Sequence, residues 1–181
     1  MKNIFIGFLL IFLDFSLNLG NSKIGLIPDF IGYIVMINGL VEMAEESLLF
    51  MKVKPYAAGM AVYTGILYLL DIIGFSASLG ALSYILAITS TIISLYISYS
   101  IVIGVKEMEG KYNTLLNGDS LKSTWTILAV FYVVTFVSLL IPTLAIVCIV
   151  VSFIAAICFL VAFNNSKNLY YEMKVRLLSL I

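Results

Sequence analysis

The sequence predicts an all-α integral membrane protein, a bundle of six transmembrane helices, and three observations carry this prediction. Of the 181 residues, 62% are hydrophobic and 11% are charged, whereas a soluble domain is typically about 45–50% apolar and about 25% charged. The apolar residues form long continuous stretches without the two-residue period of strands. The gaps between these stretches are short. Such a chain lacks the polar surface that a water-soluble globule needs.

Six stretches approach the roughly 20 residues that a helix needs to cross the hydrocarbon layer. They are 4–20, 27–47, 56–77, 79–104, 122–141 and 143–163. The first is the weakest, because it contains Asp14 and Asn18, and its polar second half is open to irregular structure. A cleaved signal peptide is the rival interpretation, but Asp14 interrupts the apolar region and no A-x-A-like site follows. A single transmembrane domain over 1–181 is therefore expected.

The distribution of basic residues predicts the orientation of these spans. Nine of the ten Lys and Arg residues fall on the side that holds both termini, and only Lys23 falls on the other side. Because this bias sets topology, a multi-pass protein of the cell membrane with both termini cytoplasmic is expected. The tail 164–181 is predicted to lie on the membrane as an amphipathic helix or to be frayed. Glu42, Glu45 and Glu46 are most simply a solvated helix end.

Several classes of function lack their usual residues. The sequence has no histidine, the commonest general base and zinc ligand, and Cys148 and Cys158 lie about 15 Å apart on one helix, too far to bond. Its zero net charge offers no basic field for phosphates. No enzyme, metal site, cofactor or nucleic-acid partner is expected. The expected partner is the lipid bilayer, while a membrane or cytoplasmic protein partner and the oligomeric state stay open.

Intramembrane acids are the candidate functional residues, since a charge there requires a partner, water or a proton. Asp14 and Asp71 each lie six residues before the outer end of a span, or about 9 Å deep. Asn18 shares the helix face of Asp14, and Tyr68 shares that of Asp71. Span 4 carries a stripe of small and hydroxyl residues: Gly80, Ser83, Ala87, Ser90, Thr91, Ser94 and Ser98. If these faces converge, Asp14, Asn18, Tyr68, Asp71 and Ser83 line an outward-facing acidic cleft that binds a small polar solute or cation.

Structural interpretations of the same features stand beside this hypothesis. Small residues at helical spacing let membrane helices pack closely, which would explain the span 4 stripe and the series Gly25, Gly32 and Gly39 on span 2. Pro28 and Asp29 favour a structural helix start, because proline suits the first turn and an acid meets the positive end of the helix dipole.

Two resemblances accompany these residues. The segment 25–33, with the sequence GLIPDFIGY, resembles one found in multi-span bacterial membrane proteins of unassigned activity. The layout is also similar to that of the substrate-binding S-components of energy-coupling-factor transporters, which implies six spans and a ligand in the outer half. The first helix of those subunits carries docking alanines, whereas residues 4–12 here contain none.

Two functions are therefore expected in order of preference. The first is a carrier or membrane-embedded binding subunit for a small polar solute or cation. The alternative is an accessory, regulatory or immunity-type membrane protein with no transport activity of its own. The equal predicted depth of Asp14 and Asp71 favours the carrier or binding subunit, because helix packing alone does not explain two acids at that depth.

Overall fold

Successive helices of the chain run in opposite directions through a helical bundle. The structure is a computed structural model that describes residues 1–12, 16–19, 22–25, 28–74, 81–138 and 142–179. Within these ranges the chain forms six α-helices and one antiparallel β-hairpin. They are α1 Lys2–Phe12, β1 Ser16–Leu19, β2 Ser22–Gly25, α2 Asp29–Glu42, α3 Leu48–Ile72, α4 Ala81–Tyr112, α5 Gly118–Ser138 and α6 Pro142–Leu178.

The helices pack in chain order into a closed ring. Each helix packs on the next one along the chain, and α1 also packs on α6, which closes the ring. The backbone N–H of Lys2 donates to the Tyr171 hydroxyl, and the Tyr170 hydroxyl donates to Glu46. The start of α1, the turn 43–47 and the last turns of α6 therefore share one end, called the termini end. The opposite end, where the hairpin joins α1 to α2, is called the hairpin end.

The first predicted span is wrong at residues 16–19. Where a helix over 4–20 was expected, the described residues form α1 up to Phe12 and then strand β1, in which Ser16 pairs with Gly25 and Leu19 with Ser22 of β2. The segment 16–19 alternates polar and apolar residues, a period that favours a strand over a helix. Asn18 lies in β1, opposite Lys23. Asp14 lies outside the described residues.

Within the described ranges, three helices are long and apolar enough to cross a membrane: Leu82–Tyr112, Gly118–Ser138 and Leu144–Leu178. By contrast, α1 has 11 residues and α2 has 14, fewer than the roughly 20 that a crossing requires. The structure thus agrees with a membrane protein through α4, α5 and α6. The tail continues α6 as a regular helix to Leu178, so its frayed alternative does not hold for the described residues.

Glycines bring α1 against α2 at close range. A Cβ atom added to Gly7 would lie 2.7 Å from the Met36 Cβ atom and 2.8 Å from the Gly32 carbonyl oxygen. One added to Gly39 would lie 2.5 Å from the Ile4 backbone nitrogen. Backbones approach this closely only where side chains are missing. Packing is therefore the role of Gly32 and Gly39.

Aromatic rings fix the other side of α1. The Phe8 ring packs edge-on against Phe159 and Phe163 of α6, with centroids 5.3 and 5.2 Å apart. The Phe12 ring meets the same Phe159 at 5.8 Å. Such edge-to-face pairs add stability beyond the area that they bury. The short helix α1 is thus held between α2 and α6.

Substitution of Gly39 tests this closure. We expect Gly39→Ala to lower the stability of the protein by about 1–3 kcal/mol, because the new methyl group overlaps backbone atoms of α1 that cannot move without shifting the helix. The measurement is thermal unfolding of the purified protein in detergent.

Gly59→Ala is the matched control. No atom lies within 4 Å of a Cβ added to Gly59, and alanine favours a helix over glycine by about 1 kcal/mol. The control should therefore be neutral or stabilising, and equal losses in both variants would contradict the proposed glycine contact.

Candidate functional site

A cavity of about 320 Å³ lies inside the ring, toward the hairpin end, and is called the ring cavity. Five of the six helices, α1 to α5, contribute to its wall. The lining residues are Ile11, Phe12, Asp29, Tyr33, Met60, Tyr63, Thr64, Leu67, Ser90, Thr91, Ser94, Leu95 and Tyr132. Its volume lies at the small end of the range for ligand sites, about 300–1,000 Å³.

Among the described residues that line the ring cavity, Asp29 is the acidic one. Pro28 is the N-cap residue of α2, with φ −66°, and Asp29 is the first helical residue. The positive end of the helix dipole favours a carboxylate at this position. The carboxylate also interacts electrostatically with Tyr33 and Tyr132. The residue thus lies at a helix start and on the ring cavity at once.

Part of the span 4 stripe faces the ring cavity. Ser90 and Thr91 each donate a hydrogen bond to the Ala87 carbonyl oxygen, at 2.9 Å. In α3, Thr64 donates to the Met60 carbonyl oxygen at 2.8 Å. Hydroxyl groups in apolar helices commonly bond their own backbone in this way. These hydrogen bonds hold the three hydroxyl groups against their own helices at the cavity wall.

The stripe also packs α4 against α5. Ser98 is 1% exposed, donates to carbonyl oxygens of its own helix and accepts a hydrogen bond from the Trp125 indole nitrogen at 2.9 Å. The Tyr99 ring meets the Trp125 ring at 4.7 Å. The stripe therefore has two parts: Ser90, Thr91 and Ser94 line the ring cavity, and Ser98 packs α4 against α5.

Asp71 and Ser83 line a second, smaller cavity of about 240 Å³, called the side cavity. Tyr63, Leu67 and Ser90 line both cavities, so the two adjoin. Asp71 is absent from the described wall of the ring cavity.

Tyr68 lines neither the ring cavity nor the side cavity. The Tyr68 ring packs on Phe30, with centroids 5.9 Å apart. Because Asp14 lies outside the described residues, its approach to Asp71 stays a prediction.

Three tyrosines in the ring cavity were not singled out from the sequence. Tyr33 comes from α2, Tyr63 from α3 and Tyr132 from α5. The Tyr63 hydroxyl is buried and has no hydrogen-bond partner within the described part of the chain. A sequence signal existed for Tyr63, because Met60, Tyr63, Thr64 and Leu67 share one helix face by their spacing.

A second polar group, the Glu46 cluster, joins the turn 43–47 to α4 and α6 at the termini end. The Glu46 carboxylate lies 2.6 Å from Lys174 Nζ and 3.6 Å from Lys111 Nζ. The hydroxyls of Tyr112 and Tyr170 donate to it at 2.6 and 2.9 Å. Because the Glu46 side chain is 8% exposed, the expectation of a solvated helix end is wrong for this residue.

Opposing effects set the pKa of Glu46. Burial by itself raises it, but hydrogen bonds from one lysine and two tyrosines, together with the lysine charge, outweigh burial and lower this pKa to about 2. The hydrogen bond to Glu46 raises the pKa of Lys174. Both groups keep their charges at neutral pH, so the cluster is a permanent link between the turn 43–47 and α6.

Comparison of the chain with protein-family models, with curated proteins and with solved structures finds no match.

The Glu46 cluster generates a prediction about pH. We expect Glu46→Gln to lower stability by about 1–2 kcal/mol at neutral pH, because it removes a largely buried carboxylate that accepts hydrogen bonds from Lys174 and two tyrosines. A carboxylate with a lowered pKa stabilises the fold above its ordinary pKa of 4.5 and loses this effect as the pH falls toward 2. The difference between wild type and variant should therefore shrink between pH 7 and about pH 3, as measured by thermal unfolding.

Glu45→Gln makes the same chemical change one residue away. The Glu45 residue is exposed and contributes its backbone carbonyl, not its carboxylate, to the contact with Lys111. The control should change stability little at either pH. A Glu46→Gln loss that is independent of pH would contradict the assigned role of the carboxylate.

Proposed function

We propose that the protein is a membrane-embedded binding protein or carrier subunit for a small polar solute or cation, and that the ring cavity is its site. The observation that carries this proposal is the cavity itself, a space between five helices of a largely apolar chain whose wall includes Asp29 and four hydroxyl residues, Thr64, Ser90, Thr91 and Ser94. Ligand sites in helical bundles lie between the helices in this way. Three of the helices are long and apolar enough to hold the ring in a bilayer.

The proposed orientation has both termini in the cytoplasm and the bundle in the cell membrane, with α4, α5 and α6 as described helices long enough to cross it. Its support is the excess of Lys and Arg on the side of the termini. The 37-residue α6 would span about 55 Å, more than the roughly 30 Å of hydrocarbon, so its last turns would extend into the cytoplasm. The hairpin end and the ring cavity would then lie toward the outer face.

Within this proposal Asp29 is the primary acidic group of the site. It lines the larger cavity, whereas Asp71 and Ser83 line the adjoining side cavity. A solute that moves between the two cavities would pass Tyr63 and Ser90, which line both.

An accessory or regulatory role is the second candidate. The last turns of α6 favour it, because they expose the apolar side chains of Val175 and Leu178, at 66% and 73%. Exposed apolar groups in a segment outside the membrane suit a protein partner.

Ligand-induced stabilisation tests the proposed function. The purified protein in lipid nanodiscs is heated in the presence of Na⁺, K⁺, sugars, amino acids or small amines. At least one class should raise its unfolding temperature, since a ligand at 100 times its Kd adds about 2.7 kcal/mol. Asp29→Asn should lose the response, because Asp29 lines the ring cavity. Asp71→Asn, the same change in the side cavity, should retain most of it.

Two outcomes would contradict the proposal. One is a wild-type protein that no class of solute stabilises. The other is an equal response of wild type and Asp29→Asn. A stoichiometric protein partner in native mass spectrometry, without any solute response, would instead support the accessory role.

A further inference from the structure

A groove of about 380 Å³ lies between α3 and α4 and is called the α3–α4 groove. Both helices line it, with Pro55, Tyr56, Gly59, Met60, Tyr63, Leu86, Thr89, Ser90 and Ile93. None of these lining residues is an acid or a base. A Cβ atom added to Gly59 would have no atom within 4 Å, so free space lies beside this glycine.

The groove opens on the outer surface of the ring. Tyr56 and Thr89 on its two walls are exposed, and so are the neighbouring side chains of Val62 and Ile92. One wall belongs to α4, a helix long and apolar enough to cross a membrane. The groove therefore faces the hydrocarbon of the bilayer. An empty groove there would lose the dispersion contacts of its lining atoms, and a lipid chain restores them.

The side of the groove toward the termini end carries aromatic and basic groups. The Tyr56 ring packs edge-on against the Tyr96 ring, with centroids 5.0 Å apart. Lys52 precedes Tyr56 by four residues, so it lies on the same face of α3, one turn closer to the termini end. Within the described part of the chain, Lys52 forms no ion pair. Tyrosines concentrate at the level of lipid headgroups, and lysines extend their charge into the same region.

We infer that the α3–α4 groove binds an anionic phospholipid of the surrounding bilayer, with an acyl chain between the helices and the phosphate beside Lys52. Charge complementarity favours the anionic headgroup, because Lys52 has no acidic partner among the described residues. This inference goes beyond the proposed function, since the lipid is not the solute of the ring cavity. Met60, Tyr63 and Ser90 line both spaces, so the bound chain would separate the ring cavity from the hydrocarbon.

Native mass spectrometry of the full-length protein tests this inference. The protein, purified in detergent, is mixed with equal amounts of phosphatidylglycerol and phosphatidylcholine that have the same acyl chains. We expect one retained phosphatidylglycerol per protein, in about fivefold preference over phosphatidylcholine, which is the effect of one lysine beside an anionic headgroup. This comparison uses the wild-type protein, so it does not depend on how any variant folds.

Two pairs of variants separate the acyl chain from the headgroup. Gly59→Leu should lower lipid retention at least tenfold, because its side chain fills the free space in the groove. Gly110→Leu makes the same change at another glycine with no atom within 4 Å of an added Cβ, and it should retain lipid as the wild type does. Lys52→Gln should abolish the preference for phosphatidylglycerol. Lys122→Gln, at an exposed lysine of α5, should keep it.

Four outcomes would overturn the inference. They are equal retention of the two lipids by the wild type, normal retention by Gly59→Leu, equal effects of Lys52→Gln and Lys122→Gln, and a dimer that Gly59→Leu abolishes. The last would show that a second copy of the chain fills the groove. Each leaves the proposed function standing, because that proposal is measured by the response to solutes. Failure of the solute panel, in turn, leaves the lipid result unchanged.

Discussion

The position of α1 is the constraint on which the rest of the structure depends. This helix has 11 residues, too few to be stable in water without partners. Glycines of α1 and α2 let their backbones meet, and phenylalanine rings bind the other side of α1 to α6. The contact closes the ring and places Phe12 on the wall of the cavity that Asp29 and Tyr132 also line. A larger residue at the glycine contact would open this wall.

Polar side chains have different partners at the two ends of the ring. At the termini end, the Glu46 carboxylate is matched by lysines and tyrosines, so its charge is balanced within the protein. At the hairpin end, hydroxyl groups of α3 and α4 donate hydrogen bonds to their own helices and line the ring cavity. The first arrangement stabilises the fold, whereas the second places hydroxyl oxygen atoms on the wall of a cavity.

The number of helices and the close packing of Gly32 and Gly39 could be predicted from sequence, because long apolar stretches and regularly spaced glycines are local signals. The end of α1 could not be predicted in this way. The apolar composition of 4–20 as a whole conceals the two-residue alternation of polar and apolar residues at 16–19. The cavity was predicted only in part. The hydroxyl groups of α4 line it, but the position of Asp29 on its wall depends on how α2 packs beside α3. The burial of Glu46 likewise depends on contacts more than 120 residues away in the chain.

Accessibility of the ring cavity to water within a membrane is the central claim, and cysteine labelling tests it most directly. In a protein with Cys148→Ala and Cys158→Ala, Ser90→Cys places a thiol on the cavity wall, and Ile92→Cys places one two residues along α4, at a site that is 61% exposed on the outside of the ring. A water-soluble methanethiosulfonate reagent reacts with thiolates, which form only in contact with water. The account predicts rapid labelling at residue 90 and little at residue 92 in intact membranes. Equal labelling of both, or labelling of residue 92 alone, would contradict it.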